Sequence, residues 1–218
     1  MSAQLPPFVT FVDVETTGLS TWDRVVTLGA IRLTTGELTN GSLNIEVMHL
    51  AFDPRRDCSP EAFAVHGYDN WSLRHQDLFA SHAEDIWKFI HRAPVIVGHN
   101  VAFDARFLER EFRKAGCPPI SRELSCTKEA YQLAGHSGSA SLDAVCRRAG
   151  FARASTRHGA LEDAWLSMLI YLWLLGYQIQ TPMPEAFAAR PKNWKEPPAR
   201  PDGELPRRTR KVHKADLA

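Results

Sequence analysis

Asp13 and Glu15 stand two residues apart at the end of a dense apolar run, Phe8 to Val14, broken only by Thr10 and by Asp13 itself. In a β-strand side chains alternate between faces, so both carboxylates share one face while Val12 and Val14 take the other. Two like charges held together on a buried strand are costly unless a cation neutralises them, which suits a hard divalent metal bound through oxygen. An isolated D-x-E is more often a pair of solvent-facing strand-end acids, and these two alone do not decide the matter.

Two further clusters carry the same chemistry. His99-Asn-Val-Ala-Phe-Asp104 reads as a strand leading into a helix whose first turn bears Asp104, where an acid also complements the helix dipole. His158-Gly-Ala-Leu-Glu-Asp163 places a histidine before the last apolar helix and an aspartate about one turn into it. Taken singly, the first acid can serve the dipole and the histidine can be a surface residue. Together, four carboxylates and one histidine at the ends of central elements suit two-metal hydrolysis: metals lower the pKa of a water and clamp a phosphate. Histidine, with an ordinary pKa near 6.5, can take the water's proton.

The elements that must position these groups follow from apolar periodicity. Phe8 to Val14, Val25 to Leu33 and Leu43 to Leu50 read as three strands in an antiparallel start, with Thr34 to Glu37 as turn chemistry. Ser59-Pro60-Glu61 opens a short helix that ends near Gly67. A longer helix is expected from Ser81, whose spacing to Glu84 makes a capping box, with Ile86, Phe89 and Ile90 on one face and Pro94 as its stop. Val95 to Val97 is a short buried strand. Asn100 to Lys114 is a helix with Asn100 as N-cap and Val101, Phe107, Leu108 and Phe112 toward the core. A strand near Leu124 precedes helices from Thr127, from Ser141 and from Gly159 to Leu175, the last with Trp165, Met168, Tyr171 and Leu172 as a core stripe. Strands first, then alternating helices and strands, predict an α/β fold with a mixed sheet flanked by helices.

In their order and spacing, Phe11-Val-Asp-Val-Glu-Thr-Thr-Gly18, His99 to Asp104 and His158 to Asp163 resemble the three motifs of the DEDDh (DnaQ-like) 3′-5′ exonucleases, above all the proofreading epsilon subunits of bacterial DNA polymerase III. The resemblance covers roughly residues 8 to 175 and takes in Pro60-Glu-Ala-Phe-Ala-Val-His-Gly67 and Ser141-Leu-Asp-Ala-Val-Cys146. It implies a ribonuclease H-like mixed five-stranded sheet. It further implies that Asp13, Glu15, Asp104 and Asp163 are ligands of two Mg²⁺ or Mn²⁺ ions and that His158, five residues before Asp163, is the general base. By motif position Thr16 and Gly18 lie against the terminal nucleotide, Glu61 and His66 contact it, and Leu19 wedges beside the last base. His99 is not one of the family's ligands and reads as a structural hydrogen-bonding residue.

The 218 residues suffice for one buried domain, and 44% apolar with 23% charged residues argues against wholesale disorder. Residues 182 to 218 carry nine Lys/Arg against five Asp/Glu and half of the 14 prolines, so a net charge of +1 leaves residues 1 to 181 about three charges negative. A protein gripping long duplex would be strongly basic; here the grip is local or metal-assisted. We therefore expect an exonuclease domain over 1–181 and a proline-rich basic, flexible tail over 182–218. In that tail Arg207-Arg208-Thr-Arg210-Lys211 either steers phosphates or is a solvated terminus. Gln180-Thr-Pro-Met183 followed by Phe187 faintly resembles the clamp-binding peptide of epsilon subunits, with the aromatic displaced and Pro182 and Pro184 interrupting it.

The four cysteines lack C-x-x-C spacing, Met1 to Phe8 lacks a signal-peptide pattern, and the apolar run Ala164 to Leu175 is too short for a membrane span, so a reducing cytoplasm is expected. Expected partners are a single-stranded or frayed DNA 3′ end and a DNA polymerase or sliding clamp, with no membrane. Three functions remain open: a DNA exonuclease releasing nucleoside 5′-monophosphates in proofreading or repair, an RNA-trimming exoribonuclease with the same site, and a non-catalytic polymerase-binding module. Matched DNA and RNA oligonucleotides separate the first two, and the third predicts lost ligands.

Overall fold

β1 (Phe8–Thr16) lies at the centre of a five-stranded sheet and is covered on both faces, as its near-continuous apolar pattern predicts. The computed structural model describes residues 5–40, 43–177, 179 and 181–208. The strand order is β3-β2-β1-β4-β5, in which β2 (Val25–Thr34) and β3 (Asn44–Ala51) run antiparallel to one another and β2 to β1, while β4 (Val95–Gly98) and β5 (Glu123–Cys126) extend the other side in parallel. This is the expected antiparallel start closed by a parallel half, a mixed sheet of the ribonuclease H-like type.

Side-chain alternation along β1 sends Val9 and Phe11 into one core and Val12 and Val14 into another. The first core is built on α7 (Ala160–Leu174), whose Trp165, Met168 and Leu172 are buried, and on α6 (Leu142–Ala149), capped by the Ser141 side chain. The second is built on α3 (Ala83–His91) and α4 (Val101–Lys114), with Ile86, Ile90, Phe107, Leu108 and Phe112 inside. α1 (Pro60–His66), α2 (Asn70–Leu73) and α5 (Thr127–Leu133) complete the surface, and α2 carries no sequence signal strong enough to predict it.

Two helix entries differ from expectation. The Ser81–Glu84 capping box does not form: buried Phe79, packed on Phe52 and Phe112, pins a 3₁₀ turn over Phe79–Ser81, so α3 starts from His82 without a side-chain cap and Glu84 pairs with Lys88 instead. Asn100 occupies the N-cap of α4, but its backbone is left-handed (φ 83°, ψ 44°) and its side chain makes no cap bond. N-cap side chains reach the first turn from an extended backbone, and the sharp turn out of β4 denies Asn100 that geometry.

Residues 182–208, read from the sequence as a flexible extension, run back over the domain. β3 is an edge strand with unpaired backbone groups. The Asn193 carboxamide accepts from the Ala51 N–H and donates to the Ala51 carbonyl, both at 2.8 Å, and Lys192 N–H donates to His49 O. Arg208 pairs with Asp53 and Asp57. Arg210 and Lys211, the rest of the basic cluster, and Gln180 lie outside the described residues. Met183 and Phe187 pack against the α7 core, Phe187 edge-on to Trp165. No helix among the described residues is long and apolar enough to cross a membrane.

Gly29 decides how closely α7 approaches the sheet. It sits opposite Asp13 in the β1–β2 ladder, and a Cβ there would overlap the backbone of Ala160 and Leu161 at the first turn of α7. We expect Gly29→Ala to push that turn outward, lowering stability by about 1–3 kcal/mol, the usual cost of overpacking. Urea unfolding would measure this, and an unchanged midpoint would show that α7 shifts freely.

Candidate active site

The pairing of β1 with β4 spans only Val9–Phe11, and past Gly98 the chain leaves β4 for α4, so the end of β1 has no ladder partner on that side. Asp104, on the first turn of α4, fills that gap: its Oδ1 accepts the Val14 N–H at 3.0 Å. From the opposite side, the close approach permitted by Gly29 brings in the first turn of α7 with Asp163. Asp13, Glu15 and Asp163 each offer a carboxylate oxygen within 4.8 Å of the others.

Low dielectric and mutual repulsion act on all of these carboxyls. Burial, followed by Asp104, Asp163 and Glu15, pushes the Asp13 carboxyl well above the usual range. Burial and then Asp163 push Glu15 up to about 7. Burial also raises Asp104, against the opposing hydrogen bond from Val14. Three buried acids that resist ionising, with the Asp163 carboxylate beside them as a further oxygen donor, fit one or more hard divalent cations.

His158 stands at the edge of this cluster, its side chain 42% exposed, with Nδ1 2.9 Å from Asp163 Oδ2. That hydrogen bond is the main reason its imidazole is raised above the ordinary histidine value, and it assigns the Nδ1–H tautomer, leaving Nε2 as the free base. The His158 backbone N–H donates to Val65 O at 3.1 Å, which ties the loop before α7 to the end of α1.

All ten sequence-predicted site residues, Asp13, Glu15, Thr16, Gly18, Leu19, Glu61, His66, Asp104, His158 and Asp163, line one cleft of about 500 Å³. Its wall on one side is α1, joined to the end of β1 by Ser59 N–H donating to Thr17 O. His66 is buried there; Tyr68 N–H donates to its Nδ1, so Nε2 carries the proton and points toward the Thr16 backbone short of good bonding geometry. Burial lowers this imidazole to about 4, so it is a neutral donor at working pH. On the other side Thr16 Oγ donates to Gly18 O, and Leu19 stands 78% exposed at the rim. Gly18 is required because a Cβ would lie 2.6 Å from Asp23 Oδ2. His99 has the structural role expected of it, with Nδ1 2.9 Å from Thr127 Oγ1 and Nε2 2.8 Å from Ala140 O.

One charged group was not anticipated. The Arg153 guanidinium ion-pairs with Asp163, lies 3.0 Å from Asp143 and 3.6 Å from Glu162, and is thereby held charged although burial opposes it. It lies ten residues before Asp163 in a segment without periodicity, and only the packing of α6 on α7 brings its partners together, so spacing alone could not flag it.

The model of the exonuclease family, of RNase T type, matches residues 10–171. The chain belongs to the exonuclease family. It is a nuclease, and the acid cluster lies inside the matched region. The DNA polymerase III epsilon subunit of Rickettsia prowazekii is 34% identical over 172 residues, covering 76% of this chain and 72% of its own. Among solved structures, exonuclease I superposes with a TM-score of 0.63 at 20% identity over 77% of this chain. Exonuclease X, solved with a 5′-overhanging duplex DNA, superposes at 0.59 and 19%, covering 77% of this chain and 91% of its own. The chain spans only 40% of the exonuclease I structure, and at such identities both likenesses speak for the fold alone.

The acid cluster makes the metal-free nuclease sensitive to pH. Glu15 has its folded pKa raised from 4.5 to about 7, so across that window the native state binds more protons than the unfolded chain and loses stability as pH rises. Without divalent cations, Glu15→Gln should match the wild type near pH 4, below the unfolded pKa, and melt higher at pH 8. Added Mg²⁺ should remove that advantage. Parallel melting curves at every pH would contradict the assigned burial and repulsion.

Proposed function

We propose that this nuclease removes nucleotides from DNA 3′ ends as nucleoside 5′-monophosphates by two-metal-ion hydrolysis, in proofreading or repair. The observation that carries the reading is the meeting of Asp13, Glu15 and Asp163 at the end of β1, with Asp104 beside them and the His158 imidazole at the edge. In this reading Asp13, Glu15, Asp104 and Asp163 hold two Mg²⁺ or Mn²⁺ ions. When bound, such ions neutralise the phosphodiester and lower the pKa of the attacking water. Likeness to epsilon subunits supports the choice of DNA and a place beside a polymerase.

The chain's own residues do the rest. His158 accepts the water's proton at Nε2, and the Asp163 carboxylate stabilises the imidazolium through Nδ1–H. Asp163 thus both orients the base and faces the cations. Thr16, Gly18, Glu61 and His66 would hold the terminal nucleotide, His66 donating from its neutral ring, and Leu19 would separate the last base from its neighbour. Arg153 supplies positive charge to Asp163 and keeps the acids assembled between catalytic cycles.

The test is incubation with 5′-labelled single-stranded, recessed and mismatched DNA and matching RNA, with Mg²⁺, Mn²⁺ or chelator. A metal-dependent ladder shortening from the 3′ end, strongest on DNA, is the expected result. A ladder on RNA alone would make the enzyme an exoribonuclease, and no cleavage would favour a binding module. Asp13→Ala should lose at least about a thousandfold in activity while remaining folded, because removing one carboxylate relieves repulsion. His158→Ala should be slowed about a hundredfold or more with metal affinity retained. Equal loss of metal binding in His158→Ala would make this residue a ligand instead.

A further inference from the structure

Trp22 is 80% exposed, yet the loop that carries it is firmly held. The buried Asp23 carboxylate accepts from Ser20 N–H at 2.8 Å, Ser20 Oγ at 2.7 Å and Thr17 Oγ1 at 2.7 Å. Arg56 pairs with Asp23 at 3.3 Å and donates to the Trp22 carbonyl at 2.6 Å. A braced loop that keeps an indole in water forgoes the burial that usually makes tryptophan stabilising. The same turn carries Leu19, which lines the cleft.

α4 meets this loop from the other side. Phe103 lines the cleft, and one face of the helix continues outward through Arg106, 5.6 Å from the Phe103 ring, to Arg110, 4.1 Å from the Phe107 ring. Arg110 donates to the Asp23 carbonyl at 3.2 Å, so the arginine face abuts the Trp22 loop. Among the described residues neither arginine forms an ion pair with a carboxylate, and burial, followed by repulsion from Arg106, lowers the Arg110 pKa. From Phe103 to Arg110 the face runs about 10 Å at the α-helical rise. At about 3.4 Å per nucleotide of B-form strand, that covers about two or three nucleotides.

We propose that Trp22, Arg106 and Arg110 form the track for the strand upstream of the nucleotide being removed, with the arginines on its phosphates and the indole stacked on a base. This deepens the nuclease reading and rests on it. The occupant is a single strand of nucleic acid, because cations able to meet phosphates abut a loop presenting an aromatic face that any base can stack on, contiguous with the cleft. Stacking and backbone charge do not distinguish sugars, so DNA and RNA share this chemistry.

The test measures binding of fluorescent dT10 and rU10 to the full chain with Ca²⁺ in place of Mg²⁺, across a salt series, together with cleavage of a dinucleotide and a 10-mer. Arg106→Ala/Arg110→Ala should weaken 10-mer binding about tenfold or more and reduce the salt slope by about 1.4, the value for two lost single-strand phosphate contacts. Arg106→Lys/Arg110→Lys should restore most of it. Trp22→Ala should weaken binding about tenfold and remove much of the fluorescence quenching by dT10. Because Arg110 also holds the Trp22 loop, Arg106→Ala alone and Trp22→Ala, both at exposed positions, keep the test independent of folding. In cleavage, the loss should grow with chain length. An unchanged salt slope with unchanged affinity, or equal losses on dinucleotide and 10-mer, would overturn the track. Wild-type binding that depends on these residues without any cleavage would sink the nuclease mechanism and leave the track standing. Equal effects on dT10 and rU10 are expected, and a variant that loses only one of them would overturn the shared-backbone basis of recognition.

Discussion

Negative charges packed at the carboxyl end of one buried strand are the constraint around which this molecule is arranged. Each of Asp13, Glu15 and Asp104 resists ionising because it is out of water, and further because other acids lie beside it. Such a cluster is tolerable only if positive charge or hydrogen-bond donors reach it. The chain supplies both: the Val14 N–H to Asp104, the Arg153 guanidinium to Asp163 and the His158 ring to the other oxygen of Asp163. What remains uncompensated is room and charge for cations, which is what a nuclease of this family needs at a phosphodiester.

The cluster also explains why the cores lie where they do. β1 must be rigid and central to hold two carboxylates in register, so it is covered by α7 on one face and by α3 and α4 on the other. The helices that bury it also deliver the missing acids from their first turns, Asp104 from α4 and Asp163 from α7. Backbone hydrogen bonds from Ser59 to Thr17 and from His158 to Val65 then fasten α1 to both ends of the site. A cleft built from segments this far apart in sequence keeps its shape because each wall is tied to the sheet or to another wall by main chain, rather than by mobile side chains alone.

Much of this was legible in the sequence. The near-continuous apolar run of β1 and the two-residue period put Asp13 and Glu15 on one face, and the ends of β1, α4 and α7 were placed within a residue or two. Three motifs in order picked out the residues that the fold gathers into one cleft. Capping was less legible, because whether Ser81 or Asn100 bonds a helix end depends on a backbone angle set by Phe79 and by the exit from β4. The course of residues 182–208 was also hidden, since proline-rich basic composition carries no trace of the unpaired β3 edge that Asn193 satisfies.

The sequence by itself determined on which face of which element the candidate acids and the histidine stand, because strand and helix periods are local properties of the chain; their catalytic roles came from the resemblance of three motifs in order. Only the tertiary structure decided that Asp163 meets Asp13 across the space left by Gly29, and that Arg153 reaches Asp163 and Asp143. It alone set Arg110 against the Asp23 carbonyl in the loop that carries Trp22. Those contacts join residues far apart along the chain or held in irregular loops, and no periodicity encodes them. They exist because the packing of α7, α6 and α4 on one sheet brings their termini to the same end of β1.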